Sequence, residues 1–191
     1  MFGKASFIDD NMGNTNVVWE QWAGLIQRGI GASFGLSKTG ATNACLRAPG
    51  LGAIKKVDYR ILSDRYLKGR CVILHTDRAK SYTLKVQGVV HDSVRHCKKY
   101  VKKGKRWILK KPVYTKLVTH TLPNGKKVRC KAGSQVIDRA LRFIRSHVTG
   151  QQGKPDSVKI ALAIRSAQWL YWTRGLDLWK ETGRMLEANR V

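Results

Sequence analysis

Acidic residues are scarce in this sequence: 12 Asp and Glu stand against 37 Lys and Arg in 191 residues, which gives a formal net charge of +25. A charge of this size repels itself in a compact protein unless an anion offsets it. Nucleic acids are the usual polyanionic partners of such proteins, and their binding weakens steeply as salt rises. We therefore expect DNA as the partner, with RNA as an alternative; an anionic membrane surface is the rival explanation.

Closely spaced cysteines and long apolar runs are also missing. The 4 cysteines, at positions 45, 71, 97 and 130, never approach the two-residue spacing of a zinc knuckle or a redox pair. We expect them to be reduced, mostly buried thiols. The sequence has no uninterrupted apolar run of about 18 residues, and Asp9 and Asp10 stand where a secretory peptide needs apolar residues. These absences predict no membrane partner and an intracellular location: nuclear in a eukaryote, otherwise cytoplasmic or in the nucleoid.

What the sequence does contain is enough apolar material for a core, since hydrophobic residues make up 42% of it. An amphipathic stretch at 57–67 predicts a helix, and the short apolar run at 71–76 predicts a buried strand. The β-rich runs 117–122 and 126–130 flank Pro-Asn-Gly, which predicts a hairpin. Strands and helices thus alternate, as in α/β proteins.

The remaining segments are read from their periodicity. Residues 17–29 begin as a strand and can pass into a short helix, and the Gly-rich stretch 31–52 is predicted to be loop. A helix begins after Ser134 and carries the apolar stripe Ile137, Leu141, Ile144 and Val148. A last helix is predicted to start near residue 156, with Gly175 as its weak point.

A basic block follows the predicted strand at 71–76. No acidic residue lies between Ser93 and Ile137, and Tyr100, Trp107 and Tyr114 are interleaved with the cations. Aromatic faces can stack on unpaired bases, at about 1–3 kcal/mol each, although a solvated hairpin whose aromatic residues complete the core fits the same pattern. The residues predicted to bind nucleic-acid phosphates are Lys98, Lys99, Lys102, Lys103, Lys105, Arg106, Lys110, Lys111, Lys126, Lys127, Arg129 and Lys131.

Two carboxylates are candidates for chemistry. Asp77 lies just past the predicted strand, where its carboxylate can face a cleft, and Asp138 lies in the first turn of the amphipathic helix. Mg²⁺ prefers oxygen ligands, and convergent carboxylates that hold it support phosphoryl transfer. Each residue also has a structural alternative. Asp77 can serve as a turn residue that binds its own backbone, and Asp138 can be a helix N-terminal charge one turn before Arg142.

Four segments of the chain resemble a known family, the DDE transposase domain of the insertion-sequence type called ISXO-two-like. They are VVWEQWAGLIQRG (17–29), VILHTDRAKSY (72–82), GSQVIDRALRFIR (133–145) and IRSAQWLYWTRGLDLWKETGRML (164–186). The last segment is similar to the tail of transposase-derived eukaryotic proteins that share this domain. The resemblance implies an RNase H-like fold and Mg²⁺-dependent cleavage and strand transfer of DNA.

By this resemblance Asp77 matches the second acid of the catalytic triad and Asp138 the third, so both are predicted catalytic residues and Mg²⁺ ligands. The first acid of the family has no counterpart, because Gly3 and Lys4 stand near its position, and Leu141 replaces a frequent Trp. A site with two of three ligands loses much of the charge neutralisation that lowers the barrier. We therefore expect a degenerate active site in a truncated, transposase-derived chain.

Taken together, the sequence predicts an RNase H-like mixed sheet with flanking helices over residues 1–150. A basic β-hairpin insertion is expected at about 93–132, and a C-terminal helical extension packed on the core at 151–191. The predicted function is that of a transposase-derived DNA-binding domain related to DNA transposition. The alternative is a non-catalytic DNA- or RNA-binding module, or a structural protein of a ribonucleoprotein particle. No sequence feature supports an oligomer.

Overall fold

The computed structural model describes residues 4–6, 17–39, 43–44, 54–122, 124–148 and 158–189. These residues form helices and short strands, so the prediction of a mixed α/β protein is confirmed. The chain divides into two compact units, unit 1 (Met1–Gly52 with Ile137–Val191) and unit 2 (Ala53–Val136). This division does not coincide with the predicted boundary at residue 150, because helices on both sides of that position share one core with the N-terminal strands.

The strands of unit 1 are antiparallel. β1 (Lys4–Ser6) pairs with β2 (Val17–Trp19), β2 pairs with β5 (Asn43–Ala44), and β3 (Trp22–Leu25) pairs with β4 (Gly35–Lys38). Just beyond the β3–β4 pairing, the N–H of Thr39 donates to the carbonyl of Gln21 at 2.8 Å. The loop predicted over 31–52 is therefore wrong where β4 and β5 lie. Their composition gives no strand signal of its own, and their β structure follows from pairing with the preceding strands.

Three helices complete the described part of unit 1: α2 (Gln135–Val148), which begins at the boundary between the units, α3 (Val158–Trp172) and α4 (Leu178–Ala188). The helix predicted after Ser134 is confirmed. The single helix predicted after residue 156 is wrong, since the chain turns between α3 and α4, where Gly175 has a φ of 84° that no α-helix contains. Asp177 then caps α4 by accepting hydrogen bonds from the N–H groups of Trp179 and Lys180.

The core of unit 1 lies between its strands and the helices α2 and α3. Its buried members are Trp22, Phe34, Leu36, Ala140, Ile144, Ile160, Ile164, Ala167 and Tyr171. Packing is close enough that a Cβ added to Gly24 would lie 2.9 Å from Cδ2 of Leu141. The apolar stripe predicted for α2 is thus what joins this helix to the sheet.

Side chains of α3 also donate hydrogen bonds to the backbone of β4 and of Phe34, the residue that precedes it. Gln168 and Trp172 both donate to the carbonyl of Phe34 at 2.8 Å, and Arg165 donates to the carbonyl of Leu36 at 3.0 Å. These three donors attach helix α3 to the backbone at the start of β4.

The described residues of unit 2 form one α-helix, one short 3-10 helix (Lys80–Thr83) and three strand pairs. Its elements are α1 (Lys56–Tyr66), β6 (Val72–Asp77), β7 (Val89–Val94), β8 (Lys99–Lys103), β9 (Arg106–Lys110), β10 (Lys116–Thr121) and β11 (Lys127–Ala132). β6 and β7 are parallel, whereas β8–β9 and β10–β11 are antiparallel hairpins. We call these the first and the second hairpin. The helix and the second hairpin predicted from the sequence are confirmed, with Pro123 of the hairpin turn outside the described residues. The predicted strand is present as β6, but it is half-buried and not buried.

Candidate nucleic-acid interface

The first hairpin has two chemically different faces, which follow from its register. Residues directly opposite each other in an antiparallel pair point to the same side, and the side alternates along each strand. The pairs Lys99–Lys110, Val101–Ile108 and Lys103–Arg106 therefore share one face. We call the four cations of these pairs the cationic face.

The pairs Tyr100–Leu109 and Lys102–Trp107 share the opposite face, which we call the aromatic face. Tyr100 is 63% exposed, Trp107 67% and Leu109 40%. Every residue of β9 is exposed, and in β8 only Val101 is half-buried. The alternative interpretation, in which these aromatic residues complete the core, is therefore wrong for Tyr100 and Trp107, because the hairpin presents both faces to solvent.

The root of the first hairpin is held by Arg95, which follows β7. Its carbonyl accepts a hydrogen bond from the N–H of Val113 at 2.8 Å, and its guanidinium donates to the carbonyl of Lys111 at 2.9 Å. The chain segments entering and leaving the hairpin are thus joined to each other. These two hydrogen bonds anchor the base of the first hairpin.

The second hairpin adds a row of cations. Lys127, Arg129 and Lys131 alternate along β11 on its exposed side, opposite Thr121, Thr119 and Leu117 of β10. We call these six residues the outer face. Cations two residues apart on a strand are separated by about 6–7 Å, and hydroxyl groups are frequent donors to phosphate oxygens. The outer face thus combines positive charge with neutral hydrogen-bond donors.

The inner side of the second hairpin is held by a buried acid, Asp92 of β7, which is 5% exposed. Its Oδ1 lies 2.7 Å from Nζ of Lys116, and its Oδ2 lies 3.2 Å from Nε2 of His120. Burial by itself raises the pKa of this carboxyl. The hydrogen bond and the charge of Lys116, followed by those of His120, outweigh burial and hold the pKa below its ordinary value.

Sequence reasoning missed Asp92, although a signal for it exists. It is the only acidic residue between Asp77 and Asp138, and it sits inside a β-rich run just before a block of lysines. A carboxylate in such a run is expected to be buried only with a partner. The basic block supplies that partner in Lys116.

A second contact joins the residues that follow the second hairpin to the segment that follows β7. Oγ of Ser134 lies 3.1 Å from Nε2 of His96, whose ring packs at 5.4 Å from that of Tyr114. Gly133 approaches the same place so closely that an added Cβ would lie 2.7 Å from the carbonyl oxygen of Tyr114. The base of both hairpins is therefore tightly packed.

The two carboxylates predicted to bind Mg²⁺ lie in different units. Asp77 was predicted to follow the strand, but it is the last residue of β6, and it is exposed. Its Oδ1 accepts a hydrogen bond from the N–H of Ala79 at 3.0 Å. This hydrogen bond fits the structural alternative for Asp77, a turn residue whose side chain binds the nearby backbone. Asp138 is exposed in the first turn of α2, as predicted. Asp9 and Asp10 lie outside the described residues, and so does Gly3, whereas Lys4 opens β1.

The surroundings of Asp77 include a half-buried tyrosine. Tyr82 packs edge-on against Tyr59 with ring centroids 5.2 Å apart. Burial, followed by the charges of Asp77 and Tyr59, raises the pKa of Tyr82 to about 12. This tyrosine therefore stays protonated at neutral pH and serves the packing of α1.

No cluster of three or more His, Cys, Asp or Glu side chains that could hold a metal ion occurs within the described part of the chain. Mg²⁺ binding by Asp77 and Asp138 therefore stays a prediction. Cys71, Cys97 and Cys130 are free thiols, as expected. Their predicted burial is wrong: Cys71 and Cys97 are exposed because the strand ends and turns that carry them face solvent, and Cys130 is half-buried. Cys45 lies outside the described residues.

The predicted phosphate-binding residues fall on four places in unit 2. Lys99, Lys103, Arg106 and Lys110 form the cationic face, Lys102 lies on the aromatic face, and Lys127, Arg129 and Lys131 lie on the outer face. The others flank the strands or occupy turns, namely Lys98, Lys105, Lys111 and Lys126. All twelve are exposed, so each is placed where a polyanion can reach it.

Comparisons with known proteins add no relative to these observations. No protein-family model, no curated protein and no solved structure matches the chain. Among the described residues, no helix has the length and apolar character needed to cross a membrane.

Proposed function

We propose that this chain binds nucleic acid, with the cationic face of the first hairpin and the outer face of the second hairpin holding phosphate groups. One observation carries the proposal: Lys99 lies directly opposite Lys110, and Lys103 directly opposite Arg106. Like charges at directly opposed positions destabilise a hairpin, in the range of about 0.2–1 kcal/mol per pair. A polyanion on this face would reverse that repulsion.

The composition of the insertion supports the same proposal. No acidic residue occurs between Ser93 and Ile137, so the cations of the hairpins have no carboxylate in that segment to neutralise them. Phosphate contacts then release condensed counterions, which gives a large and salt-dependent gain in affinity. Lys and Arg on adjacent exposed strands follow a phosphate backbone without reading its sequence.

The test is the salt dependence of binding to DNA and RNA. A quadruple variant replaces the cationic face with Lys99→Gln, Lys103→Gln, Arg106→Gln and Lys110→Gln. Since each phosphate contact contributes about −0.9 to the slope of log K against log salt, the slope for duplex DNA should become shallower by roughly 3–4.

A matched control variant replaces four exposed cations in or near α1 of the same unit, by Lys55→Gln, Lys56→Gln, Arg60→Gln and Lys68→Gln. The change in net charge is identical, so a general loss of attraction would flatten both slopes equally. We expect the control to keep most of the parent slope. Equal flattening in both variants, or a parent whose affinity ignores salt, would contradict the proposal.

A second candidate is descent from a DDE transposase, and the order of elements supports it. The family's RNase H-like cores carry their acids on an opening strand, at the end of a later strand and in a helix. Here β1–β5 give an antiparallel opening, β6 ends in Asp77 beside the parallel β7, and α2 carries Asp138 in its first turn. The two basic hairpins lie between β7 and α2 in the sequence.

On this reading the chain retains DNA binding but not the full acid triad, since Gly3 and Lys4 stand near the position of the first acid. The experiment measures nicking of supercoiled DNA with Mg²⁺ or Mn²⁺ by the wild-type protein and by Asp77→Asn. We expect background nicking by both. Metal-dependent nicking that Asp77→Asn abolishes would instead establish a working enzyme.

A further inference from the structure

The aromatic face of the first hairpin places two large rings side by side in solvent. Tyr100 is paired with Leu109 and Trp107 with Lys102, so the two rings occupy diagonal positions on one face. Diagonal neighbours in an antiparallel pair are about 7–8 Å apart. Both rings are about two-thirds exposed, at 63% and 67%, which leaves apolar surface in water at a cost of about 25 cal/mol per Å².

This face belongs to a strand pair with a fixed root. The two chain segments at its base are joined through Arg95, which bonds the backbone of Lys111 and Val113. Its turn is short, since only Gly104 and Lys105 separate β8 from β9. The rings are therefore presented on a preorganised surface, where a ligand binds without the entropy cost of ordering a loop.

We propose that the aromatic face stacks on unpaired bases, so that the preferred ligand is single-stranded or locally unpaired nucleic acid. This inference rests on the proposed function, because the same hairpin must first hold phosphates. Tyr100 and Trp107 are diagonal neighbours on one face, so both exposed rings can stack on bases of the same unpaired segment. Lys102, beside Trp107, lies within reach of the phosphate of that nucleotide.

Duplex nucleic acid does not offer this interaction, since its bases are stacked on each other and only phosphates and groove edges are accessible. The charge around the rings favours nucleic acid over an apolar protein partner. The aromatic face carries Lys102, and the opposite face of the same hairpin carries four cations. A base with its phosphate is a ligand that satisfies both chemistries.

The experiment compares affinities of the full chain for labelled single-stranded oligothymidylate and oligouridylate and for a DNA duplex of the same length, at one salt concentration. For Trp107→Ala and for Tyr100→Ala we expect single-strand affinity to fall by roughly 5- to 150-fold, and duplex affinity by less than about twofold. Trp107→Phe retains a ring and should recover most of the single-strand affinity.

Trp179→Ala is the matched control, because Trp179 is an 87% exposed tryptophan of α4 in the other unit. It should leave both affinities unchanged. Equal losses on single strand and duplex, or no loss in the Trp107 and Tyr100 variants, would overturn the inference. If those variants are inert while the quadruple cationic variant still flattens the salt slope, base stacking is wrong and phosphate binding stands. If the parent shows no salt-dependent binding, both proposals fall.

Discussion

The ion pair of Asp92 with Lys116 gives the sharpest test of how unit 2 is held together. Asp92→Asn keeps the shape of the side chain but removes its negative charge. Asp92 is only 5% exposed, and its Oδ1 lies 2.7 Å from Nζ of Lys116. Removing one partner of a fully buried pair costs about 3–5 kcal/mol. Lys116 is 40% exposed and can turn to water, so we expect a loss of about 1–3 kcal/mol at pH 7.

The pH dependence follows from the direction of the pKa shift. The pKa of Asp92 is lowered in the folded state by Lys116 and His120, against the opposing effect of burial. An aspartate in the unfolded chain has a pKa of about 3.9. The stabilisation by the carboxylate is therefore present above about pH 4 and is lost as the pH falls through the folded pKa.

Urea unfolding followed by circular dichroism, at several pH values between neutral and strongly acidic, measures this difference. The gap in unfolding free energy between wild type and Asp92→Asn should narrow as the pH falls below about 4. Asp64→Asn, at an exposed aspartate of α1, serves as the control and should show little gap at any pH. A gap that is absent at pH 7, or that stays constant into strong acid, would refute the reasoning.

Two further predictions concern close packing. Gly133→Ala should lower stability by about 1–3 kcal/mol, because the new Cβ would lie 2.7 Å from the carbonyl oxygen of Tyr114. Gly125→Ala should cost less, because its positive φ of 78° strains an alanine but an added Cβ meets no atom within 4 Å. Gln168→Leu should cost about 0.5–1.5 kcal/mol, since it removes one of the two donors that lie 2.8 Å from the carbonyl of Phe34, and Trp172 still donates to that carbonyl. Thermal or urea unfolding checks both; wild-type stability in either variant would contradict the contacts described.

The parts of the fold that were predictable are those whose signal is local. The amphipathic stripe of α2 and the turn residues of the second hairpin act within a few residues, and both elements form where the sequence placed them. Strands β4 and β5 were not predictable, because Gly-rich segments carry no period and become strands only through their partners. Gly175 marked the break between α3 and α4, but whether a helix bends or ends there depends on tertiary packing.

The candidate site was predictable in its composition and not in its geometry. The cluster of cations between Ser93 and Ile137 is evident from the sequence, whereas the separation of cationic and aromatic residues onto opposite faces depends on the register of β8 and β9. A shift of one residue would exchange the faces. Whether an individual cation is neutralised likewise depends on residues that are distant along the chain, and Lys116, which pairs with Asp92, is the clearest case.

Lys116 belongs to the same basic block as Arg129, yet the two residues should differ in function. Lys116 points to the inner side of the second hairpin, where its ammonium group is held by Asp92, whereas Arg129 lies on the outer face opposite Thr119. An ammonium group already neutralised by a carboxylate releases no counterion when nucleic acid binds. Arg129→Gln should therefore make the slope of log K against log salt shallower by about 0.9, and Lys116→Gln should leave it unchanged while lowering the stability of the hairpin. Equal slopes in the two variants would show that position in the fold does not decide which cations contact phosphate, and that net charge alone accounts for binding.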